Sequence, residues 1–391
     1  MFKNALRLPF RLLGIPVYLD VTFLIILPIL AWLIGAQLEE FLLLTGLDEV
    51  IAIEPLVTGA TPYWLGLAAA IALFVSVVIH ELGHAVTGRL YDVETERITL
   101  WLLGGMAHFK EMPKQKGAEA VVAIAGPIVS GALGGLAFLI LAFVPTEMGG
   151  LYFVVIYTAY MNILLAVFNM IPALPLDGGR VLRSLLHLKM SRLRATQISA
   201  SISKGLAIAL GLFGLLAFNL FMILIAFFIY IAVNAEAQYA IFTDALSKFR
   251  VDQLMSSPVD TVPPSMPVDE VLSKMLAQAR VAYPVKNDAG EFIGEITIDE
   301  VQQAPATVAV EDAMGRDLPE AITFDKSASD LFEKMIRDDN HRLLVVDDQG
   351  FVVGIVTKTD LMRALQIVSG SGSIPRRDDN SRPRPTGVAR R

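Results

Sequence analysis

Apolar residues run almost unbroken for bilayer-length stretches through the first 240 or so positions, then give way after Thr243 to short apolar segments set among dense charge. Uncharged runs occupy 21–38, 61–79, 121–146 and 148–176, each close to the roughly 20 residues a helix needs to cross a hydrocarbon core. They predict four transmembrane helices. A fifth run, 205–234, is too long for one span and too short for two, unless the helices extend to about Thr196 and Phe242. It predicts a helical hairpin broken near Asn219, and six spans in all.

Charges in the connections set an orientation. Lys3, Arg7 and Arg11 precede the first run, whereas Glu39, Glu40, Asp48, Glu49 and Glu54 follow it. Basic residues return after the second run (Arg89, Arg97, Lys110, Lys114, Lys116) and after the fourth (Arg180, Arg183, Lys189, Arg192, Arg194). Because positive loops stay in the cytoplasm, the N-terminus and the second half of the chain are expected there. The first 20 residues are interrupted by Lys3, Arg7, Arg11 and Asp20, so no cleavable signal peptide is expected.

The second half repeats itself at about 60 residues: Met255 pairs with Met314, Met275 with Met335, Gly290 with Gly350 and Gly294 with Gly354. Each copy reads as an extended entry, an amphipathic helix (268–278; 328–337), two short strands around a turn and a further helix. The tail 369–391, rich in Ser, Gly, Pro and Arg, has too little apolar surface to offset the entropy of ordering and is expected to be disordered.

The fold class that follows is a polytopic α-helical membrane domain of about six spans (1–245), then a soluble α+β pair of repeats (246–308 and 309–368) and a basic tail (369–391). Composition agrees: 54% of residues are hydrophobic and 18% charged, a mixture foreign to a single water-soluble domain. Cysteine is absent, which excludes disulfides and thiolate sites and leaves His and carboxylates as the only strong metal ligands. A net charge of -7, with basic residues clustered only in the tail, argues against a nucleic-acid partner.

The chemistry concentrates at His80-Glu81-Leu82-Gly83-His84, at the end of the second run. Residues i and i+4 share a helix face, so both imidazoles can grip one metal. Glu81 is then placed to take a proton from water attacking a carbonyl. Three ionisable residues within five positions of an apolar span are costly in a bilayer unless they serve a function. A catalytic zinc needs a third protein ligand, and the candidate is Asp177 in Asn169-Met-Ile-Pro-Ala-Leu-Pro-Leu-Asp177-Gly-Gly. His80 lies about 24 Å along a helix from Trp64 and Asn169 about 27 Å from Leu151, so both motifs reach the same side of the core. Pro172 and Pro175 break the helix and let the carboxylate turn back. The competing reading of Asp177 is an interfacial carboxylate that caps the next helix.

These two motifs resemble the site-2 protease family of intramembrane metalloproteases over roughly residues 8–179. The resemblance implies zinc held by His80, His84 and Asp177, Glu81 as general base and Asn169 beside the scissile carbonyl, where an amide donor can stabilise an oxyanion. Leu102-Leu-Gly104-Gly105-Met-Ala-His108 and Ala125-Gly126-Pro127-Ile-Val-Ser130 also match the family's pattern. Gly104 and Gly105 suit either an edge onto which an unwound substrate adds as a strand or an ordinary hairpin turn. Gly126, Gly131, Gly134 and Gly135 are read as helix-packing positions, and His108 as a packing residue.

The repeats resemble a tandem pair of CBS domains, through Gly354-Ile-Val-Thr357-Lys-Thr-Asp360 and the variant Gly294-Glu-Ile-Thr297-Ile-Asp-Glu300. That likeness implies an adenine nucleotide contacted by Thr357 and Asp360, and a homodimer formed through the CBS domains. The family likeness implies a single-span membrane protein as substrate within the lipid bilayer. Two rival readings remain at this point: a CBS-regulated transporter or channel, and an inactive relative that binds transmembrane helices.

Overall fold

The computed structural model describes residues 5–102, 104–110, 115–318, 320–338, 340–370 and 388–389, which fall into two compact units divided between Ala237 and Gln238.

The first unit opens with a hairpin, β1 (Leu6–Leu12) and β2 (Ile15–Leu19), followed by α1 (Val21–Ala36). The Asp20 side chain caps α1 by accepting from the Thr22 amide. A bend of 51° separates α1 from α2 (Leu38–Leu44). A short turn of helix, α3 (Glu54–Val57), leads to α4 (Thr61–Arg89), the 29-residue helix that carries both histidines. Then come β3 (Thr95–Trp101), β4 (Gly104–Phe109), α5 (Ala118–Leu141), α6 (Gly149–Asn169), α7 (Asp177–His187), α8 (Arg192–Leu216) and α9 (Leu220–Leu246). Five of these, α4, α5, α6, α8 and α9, are long and apolar enough to cross a membrane, and the bent pair α1–α2 makes six. The hairpin predicted near Asn219 is the α8–α9 turn, closed by Asn219 N–H donating to the Gly214 carbonyl.

What local pattern could not show is the small sheet, ordered β1-β2-β3-β4. Its central pairing is parallel, Val17 with Ile98 and Leu19 with Leu100, and joins segments 81 residues apart. β3 and β4 pair antiparallel, Ile98 with Ala107 and Leu100 with Gly105. This leaves β4 as the outer strand, packed along the second half of α4.

In the second unit the repeat is structural as well as sequential. α10 (Val251–Leu254) leads to α11 (Val268–Gln278), β5 (Ala282–Lys286), β6 (Glu291–Thr297) and α12 (Ile298–Gln303). The second copy runs α13 (Val310–Ala313), β7 (Ala321–Thr323), α14 (Ala328–Arg337), β8 (Arg342–Val346), β9 (Val352–Thr357) and α15 (Lys358–Gly370). Both hairpins share one register, Ala282 with Thr297 and Arg342 with Thr357, and both slip at the same place, after Val285 and after Val345. The copies exchange contacts. Ser256 of the first bonds Ile355 of the second in both directions, and Glu295 N–H donates to Gly315 O in return. The repeated glycines serve this crossing: a Cβ on Gly354 would meet Met255, and one on Gly294 would meet Met314 and Gly315. Of the tail, Ser369 and Gly370 end α15, and Val388 and Ala389 pair with Glu291 and Phe292 of β6; the remainder lies outside the described residues.

Candidate active site

Three elements meet at the lower half of α4. The i, i+4 spacing brings His80 and His84 onto one buried face. After α6 ends at Asn169, residues 170–176 fold back and start α7 at Asp177. This return is held by the Leu174 amide donating to Ser203 Oγ of α8, 2.8 Å. It also needs glycine at 178 and 179, where a Cβ would strike the backbone of Met170, Ile171 and Ala173. Asp177 is the first residue of α7, after the N-cap Leu176, and its carboxylate turns to the two histidines.

The three ligand atoms form a near-equilateral triangle. Asp177 Oδ2 lies 3.2 Å from Nε2 of His80 and 3.2 Å from Nε2 of His84, and the two Nε2 atoms are 3.2 Å apart. A tetrahedral zinc site with bonds of about 2.0–2.1 Å has edges of about 3.3 Å. The donor set therefore fits zinc in both type and spacing, and among the described residues it is the group of three or more His, Cys, Asp or Glu close enough to hold a metal. Burial opposes ionisation of Asp177, but the two imidazoles and Arg180, whose Nη1 is 3.6 Å from Asp177 Oδ1, hold its carboxyl well below the usual carboxylate range.

The Glu81 carboxylate reaches β4, where its Oε2 accepts the Ala107 amide at 2.9 Å. Gly105, two residues earlier on the same edge, sits so close that an added Cβ would lie 2.6 Å from Glu81 Cγ and 3.0 Å from Val77 Cγ1. The base and the outer strand are thus in direct contact. Gly104 has φ +128° and open space around its Cβ position. Asn169, the last residue of α6, is half-buried, and its side chain has no hydrogen-bond partner among the described residues. His108 stands opposite Arg97 in the β3–β4 ladder, outside the ligand group. Burial, with the Arg97 charge, pushes it down to about 4, so it is neutral near pH 7.

Sequence reasoning missed the groups behind the ligands. His80 Nδ1 lies 2.9 Å from Ser130 Oγ and His84 Nδ1 lies 2.8 Å from the Val122 carbonyl, both on α5. The packing role read for Gly126 is corrected by what surrounds it: a Cβ there would meet His80 Nε2 at 2.6 Å and His84 Nε2 closer still. Gly134 does pack, since a Cβ there would lie 3.0 Å from the Ala159 carbonyl oxygen of α6, whereas Gly131 and Gly135 face open space. A lone Ser four residues past Gly126 in an apolar span was the available signal. Behind α7, the Arg183 guanidinium is buried between Glu119 of α5 and Glu236 of α9, bonding both.

In the second unit, Thr357 and Asp360 meet each other. The Asp360 carboxylate accepts from the Thr357 amide (2.9 Å) and hydroxyl (2.7 Å), forming a capping arrangement at the start of α15. Glu300 does the same for Thr297, at 2.7 and 2.9 Å. The Asp-to-Glu difference between copies preserves this local role.

Comparison with known proteins adds to this geometry. The model of Peptidase family M50 matches residues 68–155 and 145–212, and that of the CBS domain matches 251–306 and 310–367. The chain is 32% identical over 360 residues, 92% of its length and 96% of the relative's, to a zinc metalloprotease of Methanocaldococcus jannaschii. A relative in Synechocystis is 28% identical over 375 residues, covering 91% of this chain and 94% of its own. Among solved structures, the site-2 protease from Methanocaldococcus jannaschii is 33% identical, covers 60% of this chain and 95% of that one, and gives a TM-score of 0.42.

Proposed function

Since the chain belongs to peptidase family M50, as a site-2-type membrane zinc metalloprotease with a C-terminal CBS pair, we propose that it hydrolyses a peptide bond in a transmembrane segment of a single-span regulatory protein, near the cytoplasmic face. The observation that carries this reading is the contact of Glu81 with both elements at once: its neighbours His80 and His84 converge with Asp177, and its own carboxylate touches the outer strand β4.

His80 and His84, through Nε2, and Asp177, through its carboxylate, would hold the zinc. Bound there, zinc supplies Lewis acidity, which polarises a carbonyl and makes water a stronger acid. β4 receives the substrate at Gly104 and Gly105 as an added strand, a form in which peptide bonds are accessible and helical ones are not. Glu81 takes a proton from the attacking water and returns it to the leaving amine. Asn169 donates its amide to the carbonyl oxygen as charge develops there. The basic connections that follow α4 and α6 support a cytoplasmic location for this site and for the CBS pair. In that pair, we infer an adenine nucleotide that contacts Thr357 and Asp360 and alters the proteolytic rate.

The test compares purified wild-type protein with Glu81→Gln on a fluorescent single-span substrate in lipid bilayers. Cleavage is expected from the wild type and not from the variant, with one zinc per chain retained in both. Residual proteolysis by Glu81→Gln near the wild-type rate would remove Glu81 from the mechanism.

A further inference from the structure

A histidine can offer Nε2 to a metal only if its ring is turned correctly and its proton sits on Nδ1. One face of α5 orients both rings, and for His84 it also sets the tautomer. The Val122 carbonyl can only accept a hydrogen bond, so at 2.8 Å it places the proton of His84 on Nδ1 and leaves the Nε2 lone pair facing Asp177. Two turns along, Ser130 Oγ is fully buried and meets His80 Nδ1 at 2.9 Å. Residue 126 falls midway. Positions 122, 126 and 130 are spaced i, i+4 and i+8, one stripe along the helix, and they match the i, i+4 pair on α4. At the midpoint a glycine leaves open the volume where any side chain would press on both Nε2 atoms. Pro127, which follows directly, lacks an amide proton and so interrupts the hydrogen-bond ladder of α5 beside this stripe.

We propose that this stripe is the template of the metal centre: Ser130 is a positioning residue that holds the ring of His80 in place and accepts its Nδ1 proton when Nε2 is offered to a metal, and Gly126 is required because the ligand nitrogens occupy the place of its side chain. The proposal rests on the reading of His80, His84 and Asp177 as zinc ligands. A purely structural Ser130 would give a different result, since its loss would loosen the contact between α4 and α5 without altering zinc affinity.

Zinc affinity of the purified full-length protein, measured by competition with a chromogenic chelator, separates these cases when paired with thermal unfolding of the metal-free form. His84→Ala should lose the metal, which tests the ligand reading alone. Ser130→Ala should bind zinc about 10- to 100-fold more weakly, the usual scale for losing an outer partner of a ligating histidine, while the metal-free protein unfolds as the wild type does. Ser130→Thr, which keeps the hydroxyl, should recover most of that loss. Gly126→Ala should bind no zinc at concentrations that saturate the wild type, whereas Gly135→Ala, on the open side of the same helix, should bind normally. If folded Ser130→Ala binds within about threefold of the wild type, or Gly126→Ala binds as the wild type does, the template is wrong even where His84→Ala has lost its zinc. Should Ser130→Ala fail to fold, Gly126→Ala decides.

Discussion

Adding one methyl group at Gly105 should disable the enzyme without touching its metal. In Gly105→Ala the new Cβ would lie 2.6 Å from Glu81 Cγ and 3.2 Å from Cδ. Ordinary carbon contacts begin near 3.4 Å, so the Glu81 side chain has to retreat by about 1 Å, the scale at which a misplaced group costs about a hundredfold. Two restraints stop it from absorbing the shift harmlessly. Its backbone belongs to α4, and its carboxylate is tied to the Ala107 amide on the same strand that is pushing it. A hundredfold loss corresponds to about 2.7 kcal/mol of transition-state stabilisation. It should fall on kcat, because the displaced group moves a proton rather than binding substrate. The new Cβ meets none of the three ligands, so zinc content should stay at one per chain. Gly105→Val should do at least as much damage and obstruct strand addition as well. Gly104→Ala separates contact from strain: its Cβ meets nothing within 4 Å, but its φ of +128° strains any L residue, at a cost of about 1–3 kcal/mol in local stability, so its effect on the strand that receives the substrate should fall on KM and not on the position of the base. The measurement is kcat and KM on a quenched single-span substrate in proteoliposomes, with zinc counted by atomic absorption. A kcat for Gly105→Ala within about threefold of the wild type, or a loss of zinc, would show that β4 and Glu81 do not press on each other during turnover.

Asn169→Ala should lower turnover by about a hundredfold with zinc intact, as expected for one lost oxyanion donor; unchanged turnover would reassign Asn169 to the end of α6. In the CBS pair, Asp360→Ala should weaken adenine-nucleotide binding to the full-length enzyme more than Glu300→Ala, read by calorimetry. Both substitutions also remove the carboxylate that satisfies the amide of Thr357 or Thr297, so each should cost about 1 kcal/mol of stability. Equal nucleotide affinity in both variants, with that stability loss, would confine Thr357 and Asp360 to helix capping.

Much of this molecule was legible because its signals are local. Spans announce themselves by apolar length, the ligand pair by i, i+4 spacing, and the return to Asp177 by Pro172 and Pro175. The two CBS copies show through Met and Gly spaced about 60 residues apart. Less visible were features that depend on partners distant in sequence. The pairing of β2 with β3 joins residues 81 positions apart and leaves no periodic trace in either strand. Gly126 reads as a packing glycine until the histidines opposite it are placed, and Ser130 as an ordinary small polar residue of a membrane helix. Nor could the buried bonds of Arg183 to Glu119 and Glu236 be foreseen, since they link three helices that the sequence lists far apart.

The crossing of entry segments in the CBS pair bears on whether either copy can stand alone. Each copy completes its sheet edge with a stretch that belongs to the other: Ser256 lies against Ile355, and Gly315 against Glu295. A single copy, cut between residues 308 and 309, would expose Gly294 with no Met314 to cover it, and would leave its own Met255 without Gly354 to rest on. Two separate molecules of such a half could satisfy both needs by trading segments about a twofold axis. Because each copy lacks a covering segment that the other supplies, the two halves should melt as one cooperative body, and the junction between the sequence repeats is not a place where the polypeptide can be divided.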